Sequence, residues 1–184
     1  TKDFLKYLNA NLINKYLGIV SDAEVQEWIF GKGLPNTVPT PKSDAFTNVS
    51  SLSSAWLSGD KSLTDLPTTS WTVHEWLYFI NGLPRELADD KMSKLDSQYN
   101  LTKSSNAEIA HAWYLLALNS GYDVVKPQLE QYLVNIGRRK LIVPLYKKLA
   151  ETDTGLTWAK AVYAKARPGY HPLAQGTVDG VLAK

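Results

Sequence analysis

Apolar residues recur three and four positions apart along nearly the whole chain. Phe4, Leu5, Leu8, Leu12 and Ile13 form one such set, and Val73, Trp76, Leu77 and Ile80 a second. Ala88, Met92, Leu95 and Tyr99 follow, then Ile109, Trp113, Leu116 and Ala117, then Leu129, Tyr132, Leu133 and Ile136. Each set is one face of an amphipathic helix, because side chains at this spacing stack on one side of a 3.6-residue turn. No stretch alternates with the period of two that a half-buried strand requires.

Start and stop signals agree with that reading. Ser21-x-x-Glu24, Thr72-x-x-Glu75 and Ser105-x-x-Glu108 have the form of capping boxes, in which side chains satisfy backbone donors orphaned at a helix start. Gly31-Lys32-Gly33-Leu34-Pro35, Gly82-Leu83-Pro84, Gly121, Gly137 and Pro168-Gly169 fall between the apolar segments. The segment from Gly31 to Ser43, rich in Pro, Thr and Asn, reads as an ordered extended loop because helical pattern resumes on both sides of it. About eight to ten short, one-sided helices joined by tight turns predict an all-α domain with an irregular two-layer α-α superhelix of the armadillo or HEAT kind. No sequence period of the tetratricopeptide or ankyrin type accompanies it.

A length of 184 residues suits one domain with a real core and is short for two, so residues 1–184 are expected to form a single α-helical domain. Apolar residues make up 44% and charged residues 21%, which places the chain among packed proteins. A net charge of +2 is far too small for a phosphate-tracking surface, so nucleic acid is not an expected partner. With no Cys, disulfides, thiolate metal sites and a Cys nucleophile are excluded. No apolar run reaches the ~18 residues of a membrane span, so no membrane partner is expected; a soluble protein, cytoplasmic rather than periplasmic or secreted, is the favoured reading. The chain opens Thr1-Lys2-Asp3-Phe4 and runs straight into helical pattern, as a piece of something longer would.

Most candidate chemistry yields to a structural reading. His74-Glu75-Trp76-Leu77-Tyr78 begins like the zinc motif H-E-x-x-H, but the second imidazole, one turn on, is replaced by Tyr78. Glu75 closes the box begun by Thr72, and His74 is a surface residue. His111 lies off the apolar stripe and is expected in solvent, His171 follows a turn and is expected to cap or pack, and Asp89-Asp90 is expected to be solvated. Most of Trp28, Trp56, Trp71, Trp76, Trp113 and Trp158 are expected in the core.

Arg138-Arg139-Lys140 is different. The helix macrodipole disfavours cations at a helix start by up to about 1 kcal/mol per group. Pro144 is expected in the first turn of the next helix, which would begin near Leu141 and leave the three cations in the preceding turn. Crowded cations repel unless an anion joins them, and an Arg fork beside a Lys point charge suits a carboxylate. A plainly solvated turn is the bland alternative.

Taken in order, several residues resemble a known family. They are Trp28 with Gly33-Leu34-Pro35; Tyr99-Asn100-Leu101 with Asn106-x-Glu108-Ile109 and Trp113; Gly137-Arg138-x-Lys140 with Pro144-Leu145-Tyr146-Lys147; and His171-Pro172. From about Glu24 to its end the chain is similar to the C-terminal helical domain of the zinc aminopeptidases related to leukotriene A4 hydrolase and aminopeptidase B. Leu141 departs from the pattern, which has an aromatic residue there.

The resemblance implies a fragment of a multidomain metallo-aminopeptidase, in which a saddle-like β domain, a thermolysin-like catalytic domain and this domain enclose a cleft. Zinc would be the parent's cofactor, held by H-E-x-x-H and a downstream Glu of the catalytic domain, so the fragment would hold no metal or catalytic residue and would not hydrolyse peptides by itself. Arg138 and Lys140 match the cleft cations that hold the free carboxylate of a short peptide such as a tripeptide, while Arg139 would point to solvent. The upstream catalytic domain and short peptides are the implied partners. Two alternatives stay open: a free-standing helical scaffold that binds a partner protein, and a domain whose Arg138 and Lys140 make salt bridges across a domain boundary.

Overall fold

The computed structural model describes residues 1–183, which contain ten α-helices and no strand. The chain divides into two compact units, Thr1–Ser43 and Asp44–Lys184. The first holds α1 (Lys2–Asn11), a 3-10 turn (Ile13–Lys15) and α2 (Asp22–Phe30), and ends in a non-helical segment. Ser21 caps α2 as its sequence predicts: its Oγ accepts from the Glu24 N–H, while Glu24 Oε2 accepts from the Ser21 N–H at 2.8 Å. The apolar face of α1 is not buried; Phe4 and Leu12 are exposed, and so is Trp28 of α2, alone among the six tryptophans.

The second unit carries α3 (Ala45–Ser58), α4 (Val73–Gly82), α5 (Asp89–Tyr99), α6 (Ala107–Ser120), α7 (Lys126–Asn135), α8 (Arg139–Leu149), α9 (Asp153–Ala166) and α10 (Pro172–Leu182). Alternate helices pack side by side: α4 on α6, α6 on α8 and α8 on α10 form one row, with α3 against α4, while α7 packs on α9 beside it. Two rows of alternating helices are the expected α-α superhelix, and each one-sided helix turns its apolar stripe to the space between them. That space is filled by fully buried Phe79, Met92, Leu95, Trp113, Leu129, Leu133, Ile142, Leu145 and Tyr146. Trp56 is buried as well, and Trp71, Trp76 and Trp158 pack against the core.

Polar ties fix where the helices start and stop. Asn100, in the left-handed region at φ 52°, ends α5 and sends the chain into a 3-10 turn, Leu101–Lys103. There the buried Thr102 donates its hydroxyl to Asp96 Oδ2 at 2.7 Å and accepts from Trp113 Nε1 at 2.9 Å. Tyr114 donates to the Thr102 carbonyl at 2.8 Å, so two neighbouring side chains of α6 hold the turn that precedes it. Tyr132 donates to the Ala107 carbonyl at 2.9 Å and ties α7 to the first residue of α6.

At the C-terminal end, Asp179 accepts from the Tyr163 hydroxyl at 2.7 Å and from Arg167 Nε and Nη2 at 3.1 and 2.9 Å. The Arg167 fork, then the Tyr163 hydroxyl, hold this carboxyl down at about 2 from an ordinary 3.8. The unfolded chain therefore binds the proton more readily. Stability from Asp179 is complete above the ordinary carboxylate range and is lost as pH falls through about 2. Asp179→Asn is expected to flatten that part of the stability profile, which thermal melts of both proteins across the acid range would show.

Candidate functional site

The basic turn begins where α7 ends. Ile136 closes α7, Tyr170 donates its hydroxyl to the Leu133 carbonyl, and the extended Arg138 serves as the N-cap residue of α8 without a side-chain cap. α8 starts at Arg139 rather than near Leu141, so Arg139 and Lys140 stand in its first turn instead of before it. Pro144 is correspondingly inside the helix. Its missing N–H would have met the carbonyl of Lys140, a residue exposed at the surface, where water can replace the bond. Burial of Leu141, Ile142, Leu145 and Tyr146 offsets the rest, since tertiary packing rather than propensity sustains most short helices.

Arg138 and Lys140 converge on one carboxylate, Glu108. Arg138 Nη1 donates to Glu108 Oε1 at 2.9 Å, and Lys140 Nζ lies 3.1 and 2.9 Å from Oε1 and Oε2. The two cationic side chains are 64% exposed and the Glu108 side chain only 26%, so the anion sits beneath and the cations face out. The Lys140 hydrogen bond, followed by the charges of Lys140 and Arg138, lowers the Glu108 pKa. Glu108 therefore offsets the unfavourable placement of positive charge at the start of α8.

Sequence reasoning missed this role because it placed Glu108 in a capping box with Ser105. The helix is capped instead by Asn106, whose Oδ1 accepts from the N–H groups of Glu108 and Ile109 at 3.0 and 3.2 Å. With Asn106 at the cap, Glu108 is a second-position residue and its side chain is released to cross to α8. The signal was present in Asn106 itself, since Asn caps at least as well as Ser.

The histidines separate. His74 is exposed, and Thr72 and Glu75 form the predicted box, with Glu75 Oε2 accepting from the Thr72 N–H at 2.8 Å. Tyr78, at the position where the zinc motif would need its second histidine, stacks on Phe46 with centroids 4.4 Å apart. His171 caps α10, accepting from the Leu173 N–H at 3.2 Å. His111 is not solvated as expected: it is half-buried one turn beyond Glu108, and its Nδ1 is buried without a partner. Burial pushes its pKa down, against smaller upward effects of the Leu141 backbone and Glu108, so the ring is neutral at neutral pH. Asp90 is exposed as expected and pairs with Lys94 at 3.3 Å, one turn along α5. Among the described residues no three His, Cys, Asp or Glu side chains come together as a metal site, and no helix is long and apolar enough to cross a membrane.

A family model described as leukotriene A4 hydrolase, C-terminal, matches residues 71–182, from two residues before α4 to the last residue of α10. The chain belongs to that family. The match encloses Glu108, Arg138 and Lys140. Leucine aminopeptidase 2 of Chaetomium globosum is 28% identical over 181 residues, spanning 96% of this chain and 29% of that protein. Leucine aminopeptidase 2 of Neurospora crassa is 26% identical over 183 residues, spanning 96% of this chain and 26% of that one. This leukotriene A4 hydrolase C-terminal domain thus spans less than a third of the length of these curated relatives. In fold it is similar to the structure of yeast LTA4 hydrolase in complex with bestatin, with a TM-score of 0.63 and 20% identity over the whole of this chain and 33% of that one.

Proposed function

We propose that this domain serves a zinc aminopeptidase by closing one side of its substrate cleft, with Arg138 and Lys140 holding the free carboxylate of a short peptide. The observation that carries the reading is that both cations meet at one carboxylate while staying largely exposed. A site that already seats one carboxyl group between an Arg fork and a Lys ammonium has the chemistry to take another on its outer side. Membership of the leukotriene A4 hydrolase family and the aminopeptidase relatives supply the reaction class. Family membership, rather than any residue of this domain, assigns the metal and the hydrolytic groups to a separate catalytic domain of the parent enzyme. A free-standing scaffold is less well supported, since its binding residues would spread over several helices.

On this reading the chain contributes position rather than chemistry. An extended chain advances about 3.3–3.6 Å per residue, so the carboxylate of a tripeptide lies roughly 7 Å beyond the first peptide bond. Cations fixed at that reach would set the first peptide bond at the reacting centre, and their binding energy would be used for orientation.

The test needs only the full-length enzyme and synthetic peptides. A free-acid tripeptide is expected to exceed its C-terminal amide in kcat/KM by about tenfold or more, since a charged hydrogen bond contributes about 1.5–3 kcal/mol. The preference is expected to shrink as residues are added, because each carries the carboxylate past the cations. Equal turnover of acid and amide at every length would refute the carboxylate role.

A further inference from the structure

We propose that Glu108 is a positioning residue of this clamp: it holds Arg138 and Lys140 at one spacing so that both turn their remaining donors toward the same monoanionic carboxylate. This rests on the reading of Arg138 and Lys140 just given and adds a residue to it.

Four observations carry the inference. Glu108 bridges both cations, with Lys140 Nζ near both of its oxygens and Arg138 Nη1 on one. Its exposure is less than half that of either cation, so it anchors them from below rather than covering their outer side. Donors are left over: Arg carries five N–H groups and spends one on Glu108, and the Lys ammonium has three, two of them on Glu108, which leaves one. Finally, Asn106 already caps α6, so helix capping does not account for the Glu108 side chain.

Charge defines the ligand. Arg138, Lys140 and Glu108 sum to one positive charge, and the half-buried His111 beside them is neutral at neutral pH. One carboxylate brings the group to zero. Without Glu108 the two cations would repel, spread on their exposed stems, and meet a carboxylate with the ordering still to be done. The inference therefore has a sign, since an internal anion that merely competed with substrate would weaken the clamp instead.

The experiment compares Glu108→Ala, Glu108→Gln, Glu108→Asp and Arg138→Ala in the full-length enzyme, using a free-acid tripeptide and its C-terminal amide. Glu108→Ala is expected to cut the ratio of acid to amide kcat/KM about tenfold, mainly through a higher KM for the acid. Glu108→Asp should recover part of that ratio, because it restores the charge at shorter reach, and Glu108→Gln should recover less. A ratio unchanged by Glu108→Ala while Arg138→Ala lowers it would overturn the positioning role and leave the clamp standing. A ratio that rises in Glu108→Ala would overturn it too and make Glu108 an internal rival of substrate. A ratio unchanged by Arg138→Ala would remove the clamp itself. If Glu108→Ala does not fold, Glu108→Gln and Glu108→Asp decide: equal ratios in these two, with no loss from the native enzyme, would overturn the role.

Discussion

In the full-length aminopeptidase proposed above, Arg138→Ala is expected to lower kcat/KM for a free-acid tripeptide about tenfold to a hundredfold, and to change that for the amide far less. The magnitude follows from one charge-assisted hydrogen bond, about 1.5–3 kcal/mol, with 1.4 kcal/mol for each factor of ten. The upper end applies where a covering domain excludes water from the pair, and the lower end where the cation keeps the exposure it has in this domain alone. Arg138→Lys is expected to recover only part of the loss, because an ammonium on a flexible stem does not reproduce the planar fork. Removing Arg138 leaves Lys140 on Glu108 with both of its contacts, so the variant should fold normally. Steady-state kinetics on the matched acid and amide decide the matter. An equal fall on both substrates would mean that Arg138 supports the fold or a domain boundary rather than the carboxylate.

Trp113→Ala is expected to cost about 3–5 kcal/mol of stability, the range for emptying a large aromatic site in a core. Trp113 is fully buried, its Nε1 donates to Thr102 at 2.9 Å, and its ring meets Tyr122 edge-on at 6.2 Å. At roughly 2–4 °C per kcal/mol for a chain of this size, the melting temperature should fall by about 6–20 °C. Trp113→Phe should cost less, since it keeps most of the apolar volume and gives up chiefly the N–H. Urea titration followed by far-UV circular dichroism would measure both, and a loss under about 1 kcal/mol for the Ala variant would show that the surrounding helices close the cavity. The effect should also reach the Glu108 ion pairs with Arg138 and Lys140, because Trp113 and Tyr114 hold the turn before α6, and Glu108 stands one residue into that helix.

Much of this was legible locally. Apart from Val73 and Ala88, which are exposed at the starts of α4 and α5, the apolar sets from Val73 to Ile136 are buried or packed on the core as spaced, because period and face are properties of the sequence itself. The Ser21 and Thr72 boxes formed because each involves residues three apart, whose geometry needs no third element. The face of α1 was read as equally apolar, yet none of it is fully buried, with Leu5 and Leu8 half-buried and Phe4 exposed, since a sequence pattern states what can be buried and not what covers it. Pro144 was misplaced because its rule weighs one lost hydrogen bond and ignores the buried face of α8.

The sequence by itself determined an all-helical chain, its breaks, the family it resembles, and three cations where local electrostatics disfavours them. Only the tertiary structure decided what those cations meet. Glu108 lies some thirty residues from both partners along the chain, and the helix and charge rules that read a sequence reach three or four. The pairing exists because α6 packs on α8, because Tyr132 ties the start of α6 to α7, and because Asn106 takes the cap that would otherwise occupy Glu108. Burying two apolar stripes against each other fixed the distance between the two helix starts, and the charges at those starts had only to be of opposite sign.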